Sequence, residues 1–431
     1  GSPPSRWSGA GRRQRHPQEY DDFVQHWPTP NLWQTSDMAH LREQRGWQSA
    51  YVGVRENGTI IAAAMLSYRH VFFRYSIAQA VRGFYIDYHD VDVMTYFHQA
   101  LMRFLKKRGC MVLYTDPYVC YRQRDIDGKL VEGGFDNSDV IALFERLGYR
   151  HSGFLRGNDE TREPNWMFVL DLDEKEEDQL LKQFDSQTRW AINKTKKLGI
   201  RVRVIDEEEL DVFKAIMDHT AQRRGFSDHD ISYYHQLFQT FGKNGRLQIV
   251  LAQLDLMDYQ RRLRVQQEEV KNELARTDEQ LAHMPGSRKL NKKRNVLLED
   301  LHTVDRNLVE AEKMLADAPD GVLNLAAATF IGIGHEMMYL YSGAYRSYMH
   351  LHASYAIQWY IIRYCLKHGF TRYNFYGISG YFHKGEEGYG VYEFKRGFGG
   401  HVEQLIGDFT CPIHPVAYQF YRVARKCLRR G

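Results

Sequence analysis

The chain has 431 residues, 43% of them hydrophobic and 26% charged, with a net charge of +4. That is the make-up of a globular protein with room for two or three domains, and its pI of about 8.6 falls below the mark of ~9 for a dedicated nucleic-acid binder. Five cysteines (Cys110, Cys120, Cys365, Cys411 and Cys427) with no C-x-x-C pair speak against a disulfide framework or a zinc site, and no run of ~18 apolar residues is present to span a bilayer.

Free thiols and the lack of a recognisable signal peptide suit a reducing cytoplasm, and no metal or cofactor is expected. Residues 1–15, opening GSPPSRWSGAGRR, read as a disordered lead-in. In YVGVRENGTIIAAAMLSY, from Tyr51, two apolar runs flank Asn57-Gly58, a strong hairpin signal. VRGFYID (81–87) reads as a strand. A helical period from about Asp90 to Lys107 stops at Gly109, and CMVLYTDP (110–117) follows as a buried strand. A further helix over about 138–147 ends at Gly148.

The same pattern returns later. RFLKKRGCMVLYTD (103–116) matches RYCLKHGFTRYNFY (363–376) at Arg103 and Arg363, Lys107 and Lys367, and Gly109 and Gly369. LQIVLAQLD (247–255) and GVLNLAAATFIGIG (321–334) match the two hairpin arms, so the chain reads as a duplicated α/β (α+β) unit. Between those arms, residues 256–316 replace Asn-Gly. Leu290, Leu297, Leu301, Val304, Leu308, Ala311 and Leu315 form a heptad seam, and Leu256, Leu263, Val270, Leu274 and Leu281 form another. An antiparallel coiled-coil hairpin turning at 284–289 is expected. The first domain is placed over 16–157, completed by 401–431, and the second over 158–255 and 317–400.

The densest chemistry is YNFYGISGYFHKGEEGYGVYEFKRGFGG (373–400), a strand end, a glycine-rich loop, then Phe394, Lys395 and Arg396. A cation beside backbone that can approach closely suits an acyl transfer, where an oxyanion must be stabilised. On composition alone, a basic turn with a solvated Lys is the simpler reading. No P-loop pattern is present.

Taken in order, VYEFKRGFGG, YxFYGISG, NWMFVLDL (165–172), SQTRWAINKTKKLGI (186–200) and the helical insert resemble the FemABX family of peptidoglycan-precursor aminoacyltransferases, from about residue 20 onward. The resemblance implies two tandem acyltransferase-like (GNAT-like) domains. It implies aminoacyl-tRNA as donor co-substrate, and as acceptor a peptidoglycan precursor, either lipid II or UDP-MurNAc-pentapeptide. It assigns Lys395 to the oxyanion or the leaving ribose oxygen, and Phe394 beside it to substrate binding. Asp116 of TDPYVCY would accept the amine proton, its alternative being a turn cap ahead of Pro117.

By the same resemblance QTSDMAHLREQRGW (34–47) is an acceptor-binding helix with Arg42 and Trp47. The family's usual Lys is Arg here, and Trp47 as plain core filling remains the simpler reading. RRGFSDHDISYY (223–234) supplies Tyr233, with His229 where some members carry Arg; either Arg223 or Arg224 substitutes, or the acceptor head group differs. Tyr341 resembles a substrate-lining residue and reads equally as a strand aromatic. Arg189, Lys194, Lys196 and Lys197 are candidate contacts for tRNA or anionic lipid, against the common reading as a solvated face. The tail YRVARKCLRRG (421–431) is a candidate contact with the anionic inner membrane face. The coiled-coil arm is open to tRNA, to other Fem-type proteins or to no partner. Two other functions compete: an acyl-CoA N-acyltransferase, whose pyrophosphate loop is not found, and a non-catalytic tRNA or membrane adaptor.

Overall fold

The computed structural model describes residues 5–8, 16–157, 159, 161–242 and 245–428. Asn57 and Gly58 take φ of 50° and 84°, the turn that matches strand twist, and join Gln48–Glu56 to Thr59–Phe72. Tyr75–Ala80 returns antiparallel, and the helix Val91–Lys107, N-capped by Asp90, crosses over to lay Cys110–Thr115 parallel to it. The second half repeats this order. Leu247–Asp255 pairs with Val322–Ile333, Glu336–Ala344 returns antiparallel, and helix Ala353–His368 leads to the parallel strand Arg372–Gly377. The chain is thus two tandem α/β domains of the same plan.

The first sheet has the order Ser5–Ser8, Gln48–Glu56, Thr59–Phe72, Tyr75–Ala80, Cys110–Thr115, Phe409–Pro412, Arg150–His151. The second runs Cys120–Gln123, His401–Leu405, Trp166–Asp171, Arg372–Gly377, Glu336–Ala344, Val322–Ile333, Leu247–Asp255, Arg201–Val204. Sheet membership crosses the expected domain limits twice. Cys120–Gln123 leaves the first half for the second sheet, and His401–Leu405, expected with the first domain, pairs there with Trp166–Asp171. Phe409–Pro412 does return to the first sheet. This exchange stitches the domains together, and a shared core forms between them, with Leu32, Trp33 and Tyr85 meeting Phe213, Ile249 and Met338.

Two further expectations are corrected. Residues 81–87 are not a strand: the strand ends at Ala80, and Tyr85 alone keeps a bridge, to Ala63. Side chains take the backbone groups a strand partner would use, since Arg82 N donates to Asp116 and Gln34 Nε2 donates to Val81 O. Within the lead-in, Ser5–Ser8 pairs with the otherwise open edge of Gln48–Glu56; residues 1–4 and 9–15 lie outside the described residues.

The insert is a pair of antiparallel helices, Leu256–His283 and Arg288–Asp317. Its base belongs to the second domain's core, where Leu256, Leu263, Val304, Ala311 and Met314 are buried. Farther out the seam is only half-buried, and cross-helix pairs such as Arg294–Asp278 (2.7 Å) flank it. Among the described residues no helix is long and apolar enough to cross a membrane.

Candidate active site

The second sheet opens in its middle. Glu336–Ala344 and Arg372–Gly377 pair only at Glu336↔Arg372, Met337↔Tyr373 and Met338↔Asn374. Beyond that point the first strand stays with Val322–Ile333, while Gly377 goes on to pair with Met167. Asn374 stands at the parting. Fully buried, it accepts from Tyr376 N (2.7 Å) and donates to Tyr118 Oη (3.0 Å) and Glu336 Oε1 (3.3 Å). Its amide replaces the lost strand partner and holds Tyr376 at φ 65°, a conformation disfavoured for a tyrosine. Arg372 anchors the paired end through the buried Glu336 and a two-pronged pair with Glu403 (2.9 and 2.6 Å).

Lys395 reaches this opening from helix Tyr389–Arg396. Gly388, at φ 73°, caps the helix where a Cβ would meet Ser379 at 2.8 Å, so close packing there needs glycine. Phe394 packs edge-on against Tyr355 (4.8 Å) and Phe398 (5.5 Å), which places it among the core aromatics and turns Lys395 inward. Lys395 is 5% exposed and its Nζ donates to Gly377 O at 2.6 Å. Burial, helped by the field of Arg224, lowers its pKa to about 7. An amine buried against a carbonyl and near another cation is costly to hold, as expected of a functional group.

Tyr376 carries the opening toward the domain junction. Its hydroxyl donates to Glu163, and its ring stacks on Trp33 at 5.5 Å. Burial raises the Glu163 pKa against the pull of Arg82, Trp33 and Arg42. Asp116 accepts from Arg82 N (3.0 Å) and pairs with the buried Arg82 guanidinium (3.3 Å). Its own pKa is pushed up to about 7, chiefly by burial and against the field of Arg82. Arg42 feels Glu163 and Asp116, bonds Gln79, and lies 4.5 Å over the Trp47 ring, which Arg69 also covers at 4.5 Å. Tyr233 and Tyr341 share a hydroxyl hydrogen bond of 2.9 Å, and the His229 ring stacks on Tyr233 at 4.0 Å. Burial lowers the His229 pKa, so it is a weak partner for an anion. Arg45, over the Tyr233 ring at 5.3 Å and paired with Asp230, supplies the nearby charge instead.

A family model described as the FemAB family matches residues 16–426. The chain belongs to the FemAB family. Aminoacyltransferase FemA of Staphylococcus aureus strain bovine RF122 / ET3-1 is 30% identical over 409 residues, covering 95% of this chain and 96% of that protein. FemA of Staphylococcus aureus strain MW2 is similar to the same extent. A crystal structure of FemX superposes with a TM-score of 0.75 at 23% identity, over 96% of this chain and 99% of that one. This FemAB-family chain is an aminoacyltransferase.

The candidate site includes residues that show no motif in the sequence. Arg82 was hidden in an apparent strand, and Glu163 in a polar loop before Pro164. Tyr376 and Asn374 look like ordinary strand residues, and their one signal is the Gly377 that ends the strand. The four basic candidates divide. Arg189 donates to the carbonyls of Lys182 (3.0 Å) and Phe184 and so caps a preceding helix, and Lys194 donates to His350 O (3.0 Å). Lys196 and Lys197 are exposed.

Proposed function

We propose that this aminoacyltransferase moves an amino acid from aminoacyl-tRNA to the stem-peptide amine of a peptidoglycan precursor, extending the interpeptide cross-bridge in the cytoplasm without a cofactor. The observation that carries the reading is the buried Lys395 amine at the mouth of the opened sheet.

An aminoacyl ester is already activated, so the enzyme needs to position it and to stabilise charge. The acceptor amine attacks the ester carbonyl, a tetrahedral oxyanion forms, and the carbon–oxygen bond to the ribose breaks. Protonated Lys395 stabilises the oxyanion or the departing ribose oxygen. Asp116, as carboxylate, takes the proton the amine must lose, directly or through water. Arg42, Trp47, Tyr233, Tyr341 and His229 line the acceptor side, with Arg45 and Arg82 adding positive charge. Aromatic faces and cations together suit a sugar-phosphate head group. Arg223 and Arg224, which close helix Leu210–Arg224, suit the phosphates of the tRNA end, since Arg224 acts on Lys395 and Arg346 on Arg223.

The test is transfer in vitro with a panel of charged tRNAs and with both nucleotide-linked and lipid-linked acceptors, read by mass spectrometry. One acceptor gaining one residue mass, dependent on charged tRNA, is the expected result. No adduct with any pair would overturn the reading.

A further inference from the structure

One face of the first domain combines exposed apolar side chains with unmixed positive charge. The tight turn between Thr59–Phe72 and Tyr75–Ala80 presents Phe73, 81% exposed. Helix Pro415–Leu428 presents Val416, Phe420 and Val423, with Phe420 at 66%. The two elements flank one groove of about 450 Å³ lined by Phe72, Phe73, Tyr75, His414, Val416 and Phe420. Isolated apolar residues on a surface are common, but a cluster built from two distant chain segments is not.

The chain segments that build and flank the groove carry charge of one sign. Segments 66–81, 95–115 and 409–428 contain no Asp or Glu, yet carry Arg69, Arg74, Lys106, Lys107, Arg422 and Arg425 among their cations. The whole chain has 58 basic and 54 acidic residues, so this segregation is local. Arg74 and Lys106 both act on His414 at the groove, and Arg425 acts on Tyr114 beneath the helix. The small cluster under the helix packs Tyr421 and Phe72 together with Trp47, the residue that Arg42 and Arg69 cover. The face therefore adjoins the acceptor side of the candidate active site.

We propose that this face docks on an anionic lipid bilayer, with Phe73, Val416, Phe420 and Val423 entering the headgroup–acyl boundary and the surrounding cations meeting lipid phosphates. Projecting aromatic and aliphatic tips ringed by Arg and Lys fit that interface. A nucleic acid would use the cations and leave those tips in water. Resting on the proposed function, the docking sets the acceptor side of the site, at Trp47, beside the membrane surface.

The test is co-sedimentation of the full chain with phosphatidylcholine vesicles, with or without phosphatidylglycerol, at low and high salt. Wild type pellets with phosphatidylglycerol vesicles at low salt and is released by salt. R422Q/R425Q weakens binding about fivefold per arginine. F73S/F420S weakens it about tenfold or more at either salt. Both variants keep wild-type transfer to a nucleotide-linked acceptor and lose transfer to a vesicle-borne one. Failure to pellet with anionic vesicles, or pelleting that neither variant alters, overturns the docking. So does R422Q/R425Q losing tRNA binding while vesicle binding stays intact. Failure of wild type to transfer to either acceptor, with vesicle binding intact, would instead count against the proposed function alone.

Discussion

The two halves of the molecule end their parallel strand pair in opposite ways. In the first, Tyr75–Ala80 and Cys110–Thr115 stay paired to the end, at Ala80↔Thr115. Thr115 Oγ1 seals that end by donating to the carbonyls of Ala80 (2.8 Å) and Gly83 (3.0 Å). In the second the pair parts after Met338↔Asn374, and a side-chain amide, not a strand, holds the freed backbone. In the alignment that matches Arg103 with Arg363, Asp116 corresponds to Tyr376. Both equivalents converge on the Arg82–Glu163 cluster. A duplicated fold thus needs only one open copy. The closed copy is free to become a wall of the other's site.

The largest expected effect bears on what the open copy holds. Lys395→Ala should lower kcat about 10²–10³-fold with substrate binding retained, as for loss of an oxyanion donor; near-normal turnover would remove its assigned role. Next comes the pH profile. Asp116 and Lys395 both titrate at about 7. With Asp116 needed as carboxylate and Lys395 as ammonium, the rate falls on both sides of neutrality. Asp116→Asn should remove the acid limb and slow transfer by about 10² or more, and Lys395→Arg, cationic throughout, should remove the alkaline limb. If Lys395 were instead a base, its loss of a proton would raise the rate above neutrality, and the alkaline limb would invert.

Asn374→Ala tests the opening itself. Tyr376 N would lose its acceptor and two buried groups a donor, at a cost of about 1–3 kcal/mol in stability, and kcat should fall while acceptor binding holds. The corresponding change in the closed copy, Tyr114→Phe, should leave kcat unchanged; an equal loss in both would mean that Asn374 matters only for folding. The smallest effect on transfer concerns the helical hairpin. Removing the arm beyond Leu263 and Val304, with a short turn to close it, should leave transfer unaltered. Deleting all of 256–316 should destabilise the second domain, because Leu256, Leu263, Ala311 and Met314 are buried there and large-to-small losses cost about 2–5 kcal/mol each.

Much of the fold was legible from local signals. The Asn57-Gly58 turn, the heptad seams and the Gly109 and Gly369 stops each act within a few residues, so their physics is complete in the text. The segment 81–87 failed for the complementary reason. Its apolar alternation is real, but Asp116 and Gln34, distant in sequence, claim its backbone groups. Of the candidate site, Arg42, Asp116, Tyr233, Tyr341 and His229 meet around the Glu163 cluster, while Lys395 sits at the strand opening and Phe394 in the aromatic core.

The sequence by itself determined the duplicated α/β plan, the coiled-coil arm and the chemical types available for acyl transfer, because periodicity, turn chemistry and composition are properties of neighbouring residues. Only the tertiary structure decided that one strand pair opens and the other closes, that strands are exchanged between the halves, and that Glu163, Arg82 and Tyr376 cluster beside Asp116. Those outcomes depend on hydrogen bonds and burial between residues far apart in the chain, where no local pattern carries the information.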